Sequence, residues 1–139
     1  MARQTPVLLK SFMGDSQFAS ANVCVVASTA NAGNVMLPAT SGDVGFIGVL
    51  QESVPASSVS DGVDVMVAGI AQIKSDGSGT ITAGKYVQIA DSAGQIKQTG
   101  TLAFAGSSVV QIVGIALNSV AATAGLLCDV LLQPMLHKP

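Results

Sequence analysis

The chain has 139 residues, of which 49% are hydrophobic and only 10% are charged, and its formal net charge is -2. This length is enough for one domain with a real core, and the hydrophobic content excludes disorder over most of the chain. The six basic residues are scattered singly and Trp is absent, which excludes a basic, aromatic surface for nucleic acid. So few charges indicate an exterior that other proteins cover, because interspersed charges keep protein surfaces apart.

Residues 1–21 are predicted to form an extended N-terminal arm, and residues 22–139 a single β domain. Pro6, Gly14 and Asp15 interrupt the first stretch, and no clear turn follows its short apolar run. Such an arm either frays or becomes ordered by adding a strand to the sheet edge of a neighbouring protein.

Short apolar runs rich in Val and Ile, separated by Gly, Asp, Ser and Asn, predict an all-β fold of seven or more strands. The alternation over residues 63–67 places Val63, Val65 and Val67 on one face of a strand and Asp64 on the other, which predicts a half-buried strand. Gly-containing turns at residues 76–79 and 91–94 each predict a hairpin. The predicted strands occupy residues 44–50, 63–67, 71–74, 85–90, 95–99, 109–117 and 126–132.

The chain also resembles itself. Residues 48–56 align with residues 114–122, and each copy is followed by a strand with an Asp-Val pair, at Asp64 and Asp129. Two copies of one strand, loop, strand unit predict a pseudo-symmetric sandwich or a small β-barrel, since two copies are too few for a solenoid.

No membrane span is predicted from the sequence. The most apolar stretch, residues 120–132, is shorter than the roughly 20 residues that a bilayer requires and contains Asp129. Cys24 and Cys128 are far apart and no secretory leader precedes them, which predicts reduced, buried thiols in a protein made in the cytoplasm.

We expect the protein not to be an enzyme and to hold no cofactor or metal. His137, the only histidine, lies near the C-terminus, where a general base is poorly held. Asp61 and Asp64 are an unconvincing acid and base pair, because Asp61 precedes a predicted turn and Asp64 faces solvent. Lys74 lies next to a predicted turn, as the lysine of a biotinyl or lipoyl carrier does, but it lacks the Met or Asp-Ala neighbours of those carriers. That less favoured alternative stays open.

Five stretches between residues 44 and 132 carry a resemblance to a known family. They are residues 44–50 (VGFIGVL), 62–69 (GVDVMVAG), 81–87 (ITAGKYV), 113–117 (VGIAL) and 129–132 (DVLL). In these stretches the chain resembles the capsid decoration, or cement, proteins of tailed bacteriophages. The resemblance implies a small β-barrel or β-tulip-like sandwich, homotrimers at threefold and quasi-threefold sites of the head, and stabilisation of the capsid against packaged DNA.

The resemblance also implies a partner and a location, namely the major capsid protein and the exterior of the virion. We expect capsid contacts on Thr5, Pro6, Val7, Leu8 and Leu9, added as an extended segment to a capsid sheet edge, and trimer contacts on the low-charge faces of the barrel. Neither nucleic acid nor a membrane is an expected partner. The alternative is a phage tail or fibre component, whereas a carbohydrate-binding module would require exposed aromatic residues.

Overall fold

The computed structural model describes residues 5–15, 18–41, 43–53, 62–100 and 109–137. Within these ranges every regular element is a β-strand, which confirms the predicted all-β class. The strands are β1 (Thr5–Gly14), β2 (Cys24–Ala27), β3 (Asn34–Met36), β4 (Phe46–Leu50), β5 (Gly62–Lys74), β6 (Tyr86–Ile89), β7 (Ile96–Gln98), β8 (Val110–Ala116) and β9 (Leu127–His137).

Five strands close into a small β-barrel, in the order β1, β3, β2, β4 and β5. The closing contact is the antiparallel ladder between β1 and β5, which runs from Thr5 opposite Ile70 to Met13 opposite Gly62. At its other end β1 pairs in parallel with β3, where Met13 lies opposite Asn34. Closure removes most of the strand edges that an open sheet would expose.

The remaining strands continue from the second half of β5 in the order β9, β8, β6 and β7. Ile70 of β5 lies opposite Leu131 of β9, and the pairing continues to Lys74. A single parallel bridge between Ser75 and Ile96 then brings β7 back to the chain that follows β5. The long strand β5 is therefore a wall of the barrel and of this second group of strands.

The core lies in two clusters that follow these two groups of strands. Val63 and Val65 are fully buried while Asp64 between them is exposed, as the predicted alternation requires. The alternation ends there, because Met66 is also fully buried and Val67 is only partly buried. One cluster contains Phe18, Val23, Val25, Val35, Leu50, Val63 and Val65. The other is larger and is built mainly from β6, β8, β9 and the second half of β5, with Cys24, Val26, Phe46, Val49 and Met66 from the barrel.

The two groups of strands are equivalent, in agreement with the internal similarity of the sequence. β4 pairs with β5 as β8 pairs with β9, each in an antiparallel ladder. Asp64 accepts a hydrogen bond from the Ser11 hydroxyl across the ladder of β1 and β5 (2.8 Å), and Asp129 accepts one from the Gln72 amide across the ladder of β5 and β9 (3.1 Å). The duplication therefore extends to side chains that link neighbouring strands.

Three sequence predictions need a correction or a refinement. The hairpin expected at residues 76–79 is wrong, because β5 pairs with β9 and not with β6, the next strand along the chain. The strands expected at 63–67 and 71–74 are one strand, which continues through Gly69 at φ 119°. The predicted arm is extended at Thr5–Gly14, but this stretch is a strand of the barrel, and Phe18 within the same predicted arm is fully buried.

Candidate protein-interaction edge

One edge of β1 is without a partner among the described strands along most of its length. β5 occupies the first edge of β1 from Thr5 to Met13. β3 occupies the second edge only at Met13 and Gly14. None of the other described strands therefore pairs with the second edge over residues 5–12, and an unpaired strand edge is a template on which another chain can add a strand.

Apolar side chains are exposed along the same stretch. Val7 is 76% exposed, and Leu8 and Leu9 are about half exposed. Three consecutive exposed side chains are unusual for a regular strand, in which neighbours point to opposite faces. Register shifts between Pro6 and Leu8 and between Leu8 and Leu9 account for them, because a bulge turns side chains away from their regular alternation.

Charge is almost absent from this edge. Lys10 is the only charged residue of β1, and its ammonium lies 5.4 Å from the centre of the Phe12 ring. The ring quadrupole attracts the ammonium, which keeps its charge. The exposed side chains of Val7, Leu8 and Leu9 are uncharged and apolar, so their desolvation costs little.

The structure brings together the five residues that the sequence singled out. Thr5, Pro6, Val7, Leu8 and Leu9 are consecutive on β1 and lie at its N-terminal end. They lie on an extended segment, and their role as capsid contacts stays a prediction. Their backbone is held by β5, so the segment is presented by the barrel and is not a detached arm.

A second apolar surface at the end of β9 was not predicted. Met135 and Leu136 are exposed there, and Val109 is exposed just before β8, the neighbouring strand. The sequence signal was present, because residues 130–136 contain no charge. It was missed because Pro134 was expected to end the last strand near residue 132, whereas β9 continues through this proline to His137.

The pKa is shifted for two buried thiols and for one carboxyl group among the described residues. Burial raises the pKa of the Cys24 thiol. Burial, and to a smaller extent the nearby charge of Asp129, raises the pKa of the Cys128 thiol to about 11. Both cysteines are free and buried, as predicted. Asp15 accepts hydrogen bonds from Ser28, Asn34 and Asn31, which lower the pKa of its carboxyl group.

The sequence offered Asp61 and Asp64 as a possible acid and base pair. Asp64 accepts a hydrogen bond from the Ser11 hydroxyl, whereas Asp61 lies outside the described residues. Among the residues that are described, no three His, Cys, Asp or Glu side chains are grouped as metal ligands would be. Nor does this part of the chain contain a helix that is long and apolar enough to cross a bilayer.

No protein-family model matches the chain, and no curated protein is detectably similar to it.

Proposed function

We propose that the protein is a bacteriophage head decoration protein, which binds the outside of the capsid as homotrimers and stabilises it. The observation that supports this proposal best is the unpaired edge of β1 with its exposed apolar residues. An extended segment of a capsid subunit can add to such an edge, where main-chain hydrogen bonds give affinity and side chains give specificity. The proposed contact residues are Thr5, Pro6, Val7, Leu8 and Leu9.

The physical properties of the edge suit a clamp that binds several subunits at once. An uncharged surface of apolar residues loses little hydration on binding, whereas a charged surface would leave unpaired ions buried. Each short ladder alone would be weak. A trimer that holds several such contacts makes every contact after the first effectively intramolecular, which raises the total affinity without a large single interface.

Binding to empty phage heads tests the proposal. We expect the purified protein to sediment with empty expanded heads of the phage that encodes it and not with isolated tails. The Val7→Asp variant should bind heads at least about tenfold more weakly, because an unpaired carboxylate would be buried in the contact. Val44→Asp is the matched control, since Val44 is also an exposed valine but lies outside β1.

Three outcomes distinguish the alternatives. Wild-type protein that remains in the supernatant with heads contradicts the proposed function. Sedimentation with tails in place of heads supports a tail or fibre component. Equal loss of head binding in Val7→Asp and Val44→Asp contradicts the assignment of the contact to β1, provided that circular dichroism shows both variants to be folded.

A further inference from the structure

The duplication of the fold shows which strands occupy equivalent places. β1 corresponds to the second half of β5, β2 to β6, β3 to β7, β4 to β8, and the first half of β5 to β9. The Asp15 amide donates to the Val35 carbonyl (3.0 Å), and the Asp76 amide donates to the Ile96 carbonyl at the same distance. The two halves thus share their strands, bridges and backbone hydrogen bonds. Where a strand of one half is covered by a neighbouring strand, that neighbour indicates what kind of segment fits the equivalent strand of the other half.

β9 has an unpaired edge at its C-terminal end. β8 occupies one edge of β9, from Val130 to His137. β5 occupies the other edge, but only from Leu127 to Leu131. From residue 132 to residue 137 this second edge has no partner among the strands that the structure describes.

The equivalent edge of β5 is covered. Aligned on Asp64 and Asp129, residues 66–70 of β5 correspond to residues 131–135 of β9. β4 lies on one side of the first half of β5, as β8 lies on one side of β9. On the other side of β5, residues 66–70 pair with residues 5–9 of β1 in an antiparallel ladder. This edge therefore fits an extended, uncharged, apolar strand.

We infer that residues 132–137 of β9 form a second edge that accepts a strand. The strand it accepts is an extended, uncharged, apolar segment of a capsid subunit, which lies antiparallel to β9. The inference rests on the proposed function, because it gives each chain two edges, on β1 and on β9, for the same kind of partner. Each molecule then bridges two partner segments through its own two halves.

The side chains around this edge agree with a docking role. Leu136 is 64% exposed and Met135 is also exposed, and no charge lies in residues 130–136. Edge strands of soluble proteins usually carry charged residues that oppose pairing with other chains. This edge carries none, and neither do residues 5–9 of β1.

Each edge also contains one proline, which limits the strength of a single contact. Pro6 lies in β1, and Pro134 lies in β9 where Gln133 and Pro134 are opposite the single residue Val113. Proline has no backbone N–H, so each of the two strands has one donor fewer for its ladders. A short ladder with a missing bond is weak by itself, and two such ladders on one rigid chain gain from their linkage.

A peptide titration tests the edge without any assumption about the capsid. The probe is a synthetic pentapeptide with the sequence of residues 5–9 (TPVLL), acetylated and amidated so that it is uncharged, because these residues cover the equivalent edge of β5. Titrated into isotope-labelled full-length protein, it should shift the backbone amide resonances of Met135, Leu136 and His137. A control peptide with Asp in place of Val7 and Leu9 should not. The Leu136→Asp variant should lose these shifts, and its exposed position leaves the fold intact.

Head binding then identifies the partner. Leu136→Asp should bind empty heads about tenfold more weakly than wild type, and the double variant Val7→Asp, Leu136→Asp more weakly than either single variant. The inference is overturned if the peptide causes no shifts at β9, or if Leu136→Asp binds heads as tightly as wild type does. In either case the Val7→Asp variant still tests the proposed function separately. Concentration-dependent shifts at β9 without peptide assign the edge to a second copy and also overturn it. Peptide shifts at β9 in a wild type that binds no heads overturn the proposed function and the partner, but not the edge.

Discussion

Replacement of Gly114 by alanine tests the packing of β8 against β9. A Cβ atom at this position would lie 2.0 Å from the backbone oxygen of Leu131 and 2.9 Å from a methyl group of Val130. Both atoms belong to β9, the strand paired with β8. A backbone oxygen cannot rotate away as the end of a side chain does, so the substitution must move one strand relative to the other.

The distances set the size of the expected effect. Real Cβ atoms essentially never approach closer than 3.0 Å, so the contact with the Leu131 oxygen must lengthen by 1.0 Å or more. Overpacking of this kind costs about 1–3 kcal/mol. We expect Gly114→Ala to lower the free energy of unfolding by about 3 kcal/mol, at the upper end of that range, because the obstacle is backbone. Gly48→Ala, with the Met66 oxygen at 2.3 Å, should cost slightly less.

Urea unfolding followed by circular dichroism measures this loss. With a denaturant dependence of about 2 kcal/mol per molar urea, the midpoint of Gly114→Ala should fall by about 1.5 M. Gly79→Ala is the control, because Gly79 has open space around it and no positive φ. It should stay within about 0.5 kcal/mol of wild type. A midpoint for Gly114→Ala equal to that of Gly79→Ala would refute the close approach of the two strands.

Three further predictions concern buried and hydrogen-bonded groups. Phe18→Ala should lower the free energy of unfolding by about 3–5 kcal/mol, since this fully buried ring leaves a cavity; a change under 1 kcal/mol in urea unfolding would contradict its place in the core. Because burial raises the pKa of Cys24 and raises that of Cys128 to about 11, both thiols should react with a disulfide reagent at pH 8 at least about 100-fold more slowly in the folded than in the urea-unfolded chain. Rapid labelling of the thiols in the native protein would contradict their burial. Hydrogen bonds lower the pKa of Asp15 in the folded state, so its carboxylate stabilises the fold above the unfolded pKa of about 3.9 and loses this contribution as the pH falls through the folded value. The difference in unfolding free energy between wild type and Asp15→Asn should therefore shrink below about pH 4, and a constant difference would contradict the assignment.

Local patterns in the sequence predicted the local parts of the fold. The alternation at Val63, Asp64 and Val65 gave the correct burial, and the turn at residues 91–94 joins β6 and β7 as an antiparallel hairpin. The internal similarity predicted a pseudo-symmetric β structure, which the equivalent strands now explain. These features depend on residues that are close in sequence, where propensity and turn chemistry act directly.

Long-range pairing is what the sequence did not reveal. β1 pairs with a strand whose residues lie more than 45 positions later, and nothing local in residues 5–14 specifies that choice. The same holds for the open end of β9, because Pro134 was expected to end this strand near residue 132. The strands predicted at residues 63–67 and 71–74 are joined through Gly69, whose positive φ suits a residue without a Cβ atom.

The position of β5 as a shared wall has a consequence for how the molecule folds. Hydrogen bonds between Ser11 and Asp64 and between Gln72 and Asp129 each close more than 50 residues of chain, and both use β5 or the ladders on either side of it. Folding that must close long loops before contacts form is slow. Neither the barrel nor the second group of strands can close its pairing until β5 is in place. The two groups should therefore fold in one concerted step, and neither should persist as an independent unit.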